Sequence, residues 1–342
     1  MSTHQDLTPP RMRTDVTRDD INAAEQRIRA HIRHTPLEHS PVLTRLVGAE
    51  VHLKLEALQV TGSFKPRLSL NVLLHMSPAR RAAGAVASTA GGHGIGLAYA
   101  AQQLGVAARI YLPRDADATK IATIGALGAE LVLTDSVRQA RVAALEYAAL
   151  TGARFVSAYN DPLVIAGGGT VGLEIGRDLP DVDLVVVGMG GGGLAAGTGI
   201  ALSDRGTAIW AVQPEASPVL NTWLRAGRPV EVSVEHSIAD GLGAHVETDT
   251  ITFPLTQRHV SVTSEVTEDE IRTAMRWLAE EHHLYVEPSA AAPVAALIRR
   301  PDLAHGKRRI VVVLTGRNIA LDRWLELVNV PSAHSLLASG DQ

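Results

Sequence analysis

The sequence predicts an α/β fold built on open, mostly parallel sheets flanked by helices. Two observations carry this expectation. Short apolar runs alternate with longer amphipathic stretches over almost all of the 342 residues, and strands that alternate with helices give parallel sheets covered on both faces. At 88–94 and 188–194 a glycine-rich turn stands where a strand passes directly into a helix.

Taken in order, strands are expected at 51–55, 85–88, 109–112, 131–133, 184–187, 208–212 and 310–314. Helices are expected at 64–76, 93–104, 117–127, 137–151, 169–178, 194–204, 267–282 and 289–299. The helix over 267–282 has a clear start signal. Thr267 can cap it, Glu270 can reach back, and Ile271, Met275 and Leu278 then follow on one face. Residues 1–20 and 331–342 read as flexible tails, as chain ends usually are. The length suits one large or two ordinary domains.

Composition excludes several functions. The chain is 46% hydrophobic and 20% charged, which is globular. Its formal charge of −4 gives no basic surplus for a phosphate backbone, and 4% aromatic residues leave few stacking platforms, so no nucleic acid partner is expected. With no cysteine, disulfides, thiolate metal sites and cysteine nucleophiles drop out. The first twenty residues are polar (Arg11, Arg13, Asp15, Arg18, Asp19, Asp20) and unlike a signal peptide. No apolar stretch is long enough to span a bilayer. A soluble cytoplasmic enzyme with no membrane partner is expected. Glu281-His282-His283 invites a metal reading, but it closes a helix, where histidines complement the dipole, so no metal site is expected.

Four segments can carry chemistry. The first is Thr61-Gly62-Ser63-Phe64-Lys65-Pro66-Arg67, after a strand and opening a helix. The positive end of the helix disfavours an added charge, lowering the Lys65 amine pKa and favouring its nucleophilic form. Read alone, Lys65 is an ordinary first-turn lysine. The second is Gly188-Met189-Gly190-Gly191-Gly192-Gly193-Leu194, whose consecutive glycines and following helix N-terminus make a phosphate cradle. Four glycines in a row cost entropy and need a reason. The third is Ser88-Thr89-Ala90-Gly91-Gly92-His93-Gly94, where exposed N–H groups and the Thr89 hydroxyl can hold a carboxylate, although His93 alone reads as locally packed. The fourth is Leu314-Thr315-Gly316-Arg317-Asn318, which places a hydroxyl at a strand's carboxyl end, where open sheets bind ligands.

Gly188, Gly190 and Gly193 also satisfy the dinucleotide fingerprint. That reading expects an acidic residue about twenty positions on. Gln213 stands there instead, and the loop lies deep in the chain. A nicotinamide oxidoreductase therefore ranks well below a phosphate-cofactor enzyme.

In this order, the four segments resemble the fold-type II pyridoxal-phosphate family, specifically its serine/threonine dehydratase branch. The likeness runs from about residue 20 to about residue 328 and includes Asp161-Pro162, Ile165-Ala166-Gly167, Gly169-Thr170, Ile238-Ala239-Asp240-Gly241 and Glu287-Pro288-Ser289. The resemblance implies a tryptophan synthase β-like pair of domains, each an open, mostly parallel sheet flanked by helices. A large cofactor-binding domain would comprise 21–83 and 158–330, with a small mobile domain at 84–157. It implies pyridoxal 5'-phosphate as cofactor, Lys65 as its Schiff-base lysine, and the Gly190, Gly191, Gly192 and Gly193 backbone on its phosphate. Thr315 would meet the pyridine nitrogen and Phe64 the ring. Ser63, Thr89, Gly92 and His93 would line the place of a small amino-acid substrate. A homodimer is implied as well.

The implied reaction is α,β-elimination from a threonine- or serine-like β-hydroxy amino acid, giving a 2-keto acid and ammonia. Freed Lys65 would take the α-proton, and the neutral Thr315 hydroxyl would favour prompt loss of the β-group. The sequence departs from the family at Gly92, where the usual residue is Asn, and at Gln213-Pro214, where the usual pair is Glu-Pro. Ala90 stands where related racemases carry a catalytic hydroxyl, which disfavours racemisation, and the length leaves no room for a regulatory domain. A β-replacement synthase, a dehydratase for a larger hydroxy-amino acid and a non-catalytic ligand-binding relative remain open.

Overall fold

The computed structural model describes residues 15–89, 91–243 and 246–330. The strands are β1 (Leu37–His39), β2 (Glu50–Lys54), β3 (Ala85–Ser88), β4 (Ala108–Pro113), β5 (Glu130–Thr134), β6 (Arg154–Phe155), β7 (Leu184–Gly188), β8 (Ala208–Pro214), β9 (Val262–Val266) and β10 (Arg309–Val313). Six form a sheet in the order β1-β2-β10-β7-β8-β9, and four form a second in the order β5-β4-β3-β6. Every neighbouring pair is parallel except β1 with β2. All seven strands expected from sequence are present. The others, β1, β6 and β9, are short or, like VTSEV in β9, too polar to stand out.

The centre of the larger sheet is buried on both faces, as parallel strands under helices should be. Alternate residues of β7 and β10 enter two cores. Val185, Val187, Val311 and Val313 pack on one side with Leu68, Val171 and Ala195. Leu184, Val186, Ile310 and Val312 pack on the other with Met275, Trp277 and Val294. The helix Glu268–His282 begins with the expected Thr267–Glu270 capping box.

Two expectations need correction. A helix runs over Arg18–Ile28, its first turn within the segment 1–20 assigned to the N-terminal tail, because Thr17 and Asp20 form a capping box and Ile21, Ala24 and Ile28 face the core. Residues 1–14 and 331–342 of the expected tails lie outside the described residues. The helix expected at 169–178 begins at Pro162, with Asp161 accepting from the Leu163 N–H. Its glycines hide the apolar period, but they let backbones meet. A Cβ on Gly167 would lie 3.0 Å from the Leu68 Cα, and one on Gly169 2.9 Å from the Gly197 carbonyl oxygen.

Candidate active site

Lys65 opens the helix Lys65–His75, with Pro66 in its first turn. The preceding residues are tied to the end of β10. The Phe64 N–H donates to the Thr315 carbonyl at 3.1 Å, and Ser63 pairs with Gly316 in an antiparallel bridge. The first and fourth segments are thus one structure. Arg67 fixes the helix from behind, being fully buried and donating to Glu56 at 2.9 Å and Glu174 at 2.7 Å. Lys54 Nζ also meets Glu174, at 2.7 Å. Burial acts to raise the Glu174 carboxyl, but Arg67 and Lys54 outweigh it and hold the group down to about 2.

Lys65 Nζ lies 4.7 Å from the centre of the Phe64 ring. Desolvation lowers the Lys65 amine to about 8, with Lys120 adding to the effect and Glu287 and Asp240 opposing it. The lowering agrees in direction with the expectation from the helix N-terminus, and its largest cause is desolvation. Glu287 shows the converse: burial raises its carboxyl to about 7, although Lys120 and Lys65 pull it down. Lys120, buried on the helix Ala118–Ala126, pairs with Asp240.

The tetraglycine segment follows β7 and enters the helix Gly193–Ala201, with Gly192 at φ 87°. It is wedged between two other parts of the chain. A Cβ on Gly190 would lie 2.9 Å from the Gly241 carbonyl oxygen, and one on Gly191 would fall on the Tyr159 ring. Protein packing therefore accounts for part of this glycine run, which the sequence reading gave to a phosphate alone. Gln213, the residue weighed for the dinucleotide reading, uses its amide oxygen on the Asn221 N–H at 2.8 Å.

In the third segment, Thr89 turns its hydroxyl oxygen to the Gly91 N–H at 2.9 Å, forming a local turn. His93 Nε2 donates to the Val156 carbonyl at 2.8 Å, while its Nδ1 has no hydrogen-bond partner among the described residues. Burial, with help from Lys65, lowers the imidazole to about 4, so it is neutral at ordinary pH. A Cβ on Gly92 would meet nothing within 4 Å. The Gly96 position touches Lys65 instead: a Cβ there would lie 2.9 Å from the Lys65 Cβ. Ala90 lies outside the described residues.

Ser63, Phe64 and Thr315 thus belong to one joined turn that ends at Lys65, and the helix that starts with Gly92 and His93 touches Lys65 through Gly96. The loop Asp240-Gly241 reaches from the Lys65 amine to Gly190. The donor set fits an aromatic aldehyde bearing a phosphate. It offers a low-pKa amine, a helix N-terminus behind glycines, and the buried Ser63 hydroxyl, unpartnered among the described residues. Sequence reasoning gave no role to Lys120, Asp240, Glu287 or Tyr159. A lysine in an amphipathic helix carries no signal, and Glu287 was marked only as part of Glu-Pro-Ser. Glu281-His282-His283 closes its helix as expected, with His282 Nε2 and Ser40 Oγ 3.0 Å apart.

A family model described as pyridoxal-phosphate dependent enzyme matches residues 28–316. The L-threonine ammonia-lyase of Thermotoga maritima is 39% identical over 92% of this chain and 78% of its own. The beta-hydroxyaspartate dehydratase of Paracoccus denitrificans is 34% identical over 90% of this chain and 98% of its own. The solved structure of maize serine racemase superposes with a TM-score of 0.87 at 27% identity, covering 96% of this chain and 99% of that one.

Proposed function

The chain belongs to the family of pyridoxal-phosphate dependent enzymes, and from that premise we propose that it eliminates the β-hydroxyl and the amino group from a small β-hydroxy amino acid. The products are a 2-keto acid and ammonia. The observation that carries the reading is the Lys65 amine, lowered to about 8 at the start of its helix, in the turn joined to Thr315.

Lys65 would hold the cofactor through its amine, and the same amine, when free and neutral, would take the α-proton. An amine at about 8 is roughly one tenth neutral near pH 7, far more than an ordinary lysine, yet basic enough to accept a proton. When bound, the cofactor supplies the electron sink for the α-carbon. Phe64 would pack on its ring, the Gly190, Gly191, Gly192 and Gly193 backbone and the following helix N-terminus would hold its phosphate, and the Thr315 hydroxyl would meet its ring nitrogen. Backbone N–H groups at the start of the helix Gly92–Leu104 hold the substrate carboxylate, with Ser63 and Thr89 beside it. Neutral His93 fixes that loop through Val156 and adds no charge.

Residues 84–157 act as a small mobile domain closing on 21–83 and 158–330. Among the described residues three ion pairs join 84–157 to the rest, Lys120 with Asp240, Arg141 with Glu247 and Arg154 with Asp161. The enzyme works in the cytoplasm as a homodimer. A chain without cysteine suits a reducing compartment, and sedimentation of the purified enzyme measures the second point.

The open space at Gly92 favours a second reading, a β-hydroxy amino acid larger than threonine. One experiment separates the readings. The loaded enzyme is assayed for keto acid and ammonia with serine, threonine, 3-hydroxyaspartate and phenylserine. Elimination yields keto acid without any added nucleophile. Product that forms only with an added thiol or amine, as a new amino acid, would replace this reading with a β-replacement synthase.

A further inference from the structure

We propose that Glu287 is a positioning residue of this site, whose carboxyl, by holding or releasing its own proton, sets the proton affinity of the Lys65 amine. Four elements bring two amines and two carboxyls together. Lys65 comes from the start of its helix, Lys120 from the helix Ala118–Ala126, Asp240 from the segment between β8 and β9, and Glu287 from the start of the helix Pro288–Arg299. Lys120 and Asp240 are paired with each other. That leaves Glu287 as the second carboxyl acting on Lys65, and the neutral His93 imidazole as the remaining titratable group near the amine.

The placement of Glu287 is specific. It occupies the N-cap position of its helix, yet its side chain makes no capping hydrogen bond there. It turns instead toward the strand-end turn that carries Thr315. The Glu287 N–H donates to the Gly316 carbonyl at 3.1 Å, and the Asn318 N–H donates to the Glu287 carboxylate. The carboxylate fills the space where a side chain on Gly316 would stand. The half-buried carboxyl is held against the turn joined to Ser63 and Phe64, the residues just before Lys65.

The chemistry follows from the balance at Lys65. Burial and Lys120 both disfavour its charged form, and Glu287 and Asp240 restore it. Ionised Glu287 raises the affinity of Lys65 for a proton, and protonated Glu287 leaves it lower. A carboxyl near 7 beside an amine near 8 titrates in the range where the amine must change state. The tuning matters for catalysis only if Lys65 is the reactive amine, as proposed above.

The chain has four lysines, Lys54, Lys65, Lys120 and Lys307, so 13C label at lysine Cε gives a small set of NMR signals. The full chain is titrated without cofactor, with Lys65 assigned by Lys65→Arg. In the natural sequence the Lys65 signal should show its own midpoint and a second inflection from Glu287. In Glu287→Gln the second inflection should vanish, and the midpoint should fall by about half a unit or more, a roughly threefold loss of proton affinity. Glu287→Asp should restore part of the effect. Gly316→Ala, which displaces the carboxyl without removing it, should shift the midpoint too and serves if Glu287→Gln does not fold. With cofactor, the acid limb of kcat in Glu287→Gln should move to lower pH. A folded Glu287→Gln whose Lys65 curve is unchanged overturns the proposal, as does a shift confined to Lys120. The role of Lys65 fails separately, if borohydride fixes the cofactor to another lysine.

Discussion

Lys120, on the helix between β4 and β5, forms an ion pair with Asp240, on the segment between β8 and β9, and so ties the smaller sheet's side of the molecule to the larger. The partners are unequal: the Lys120 side chain is 7% exposed and the Asp240 side chain 37%. Removing the carboxylate strands a buried ammonium, whereas removing the lysine leaves a carboxylate that water can reach. Asp240→Asn should therefore cost about 1–3 kcal/mol, and Lys120→Met less than about 1 kcal/mol. Lys120→Met should also raise the Lys65 amine, because a positive neighbour is gone, and move the acid limb of kcat to higher pH. Urea unfolding of the two variants makes the comparison, and equal losses would contradict the asymmetry.

Lys65→Ala should abolish turnover and the visible absorbance of covalently held cofactor. The fold should survive, with stability unchanged or up to about 1 kcal/mol higher, since an amine whose charge is disfavoured by desolvation is removed. Absorbance after borohydride treatment, beside a thermal melt, measures both. A variant that still holds cofactor covalently would end the assignment of Lys65.

Gly191 separates packing from cofactor binding. A Cβ at this position runs into the Tyr159 ring, whose hydroxyl hydrogen-bonds to Glu247. Gly191→Ala should therefore destabilise the cofactor-free chain by about 1–3 kcal/mol, as overpacking does. Tyr159→Ala should remove most of that added cost in the double variant. Cofactor affinity should stay low in the double variant, because the Cβ still stands in the loop proposed to meet the phosphate. Full recovery of affinity would show that the glycine serves Tyr159 alone.

The sheet and the glycine turns were legible because they depend on local pattern. Continuous apolar runs marked β7 and β10, and glycine turns marked the strand-to-helix passages at 88–94 and 188–194. The helix from Pro162 was shortened in the sequence reading because Gly167 and Gly169 serve distant backbones rather than their own helix. At the candidate site, the residues legible in the sequence are those in strand-to-helix turns. Lys120, Asp240 and Glu287 gave no local signal, since their meaning lies in meeting across long sequence separations. The depressed Lys65 amine was anticipated through the helix dipole, and burial, which no window of sequence displays, is the larger cause.

Arg67 supports the reactive helix through ions that are themselves buried. Arg67→Met should cost about 3–5 kcal/mol, because it leaves Glu56 and Glu174 charged inside the protein. The same network gives a pH dependence. The folded Glu174 carboxyl is held at about 2, below its ordinary 4.5, so its contribution is fully present above 4.5 and is lost as pH falls toward 2. Glu174→Gln should make the acid limb of stability shallower over that window, at some loss near neutral pH. Urea midpoints between pH 5 and pH 2 test it, and an unchanged slope would show that Glu174 does not govern acid unfolding.

Gly92 bears on which amino acid the enzyme takes. A side chain there would enter open space, so Gly92→Asn should fold with a stability change within about 0.5 kcal/mol. Its consequence should appear in the substrate ranking. The amide would occupy room proposed to receive the part of a substrate beyond its β-carbon. Activity on phenylserine or 3-hydroxyaspartate should then fall by about tenfold or more relative to serine, the discrimination that loss of a few methylene-sized contacts supports. The amide would also add a hydrogen-bond donor beside the proposed cofactor place. A donor there favours a deprotonated ring hydroxyl, so the visible absorbance of the loaded enzyme should titrate at lower pH than in the natural sequence. Both changes come from the same side chain in the same space, so they should appear together. If ranking and titration both stay fixed in a folded variant, residue 92 does not face the cofactor, and the substrate roles proposed for Thr89 and the 91–94 backbone must be withdrawn with it.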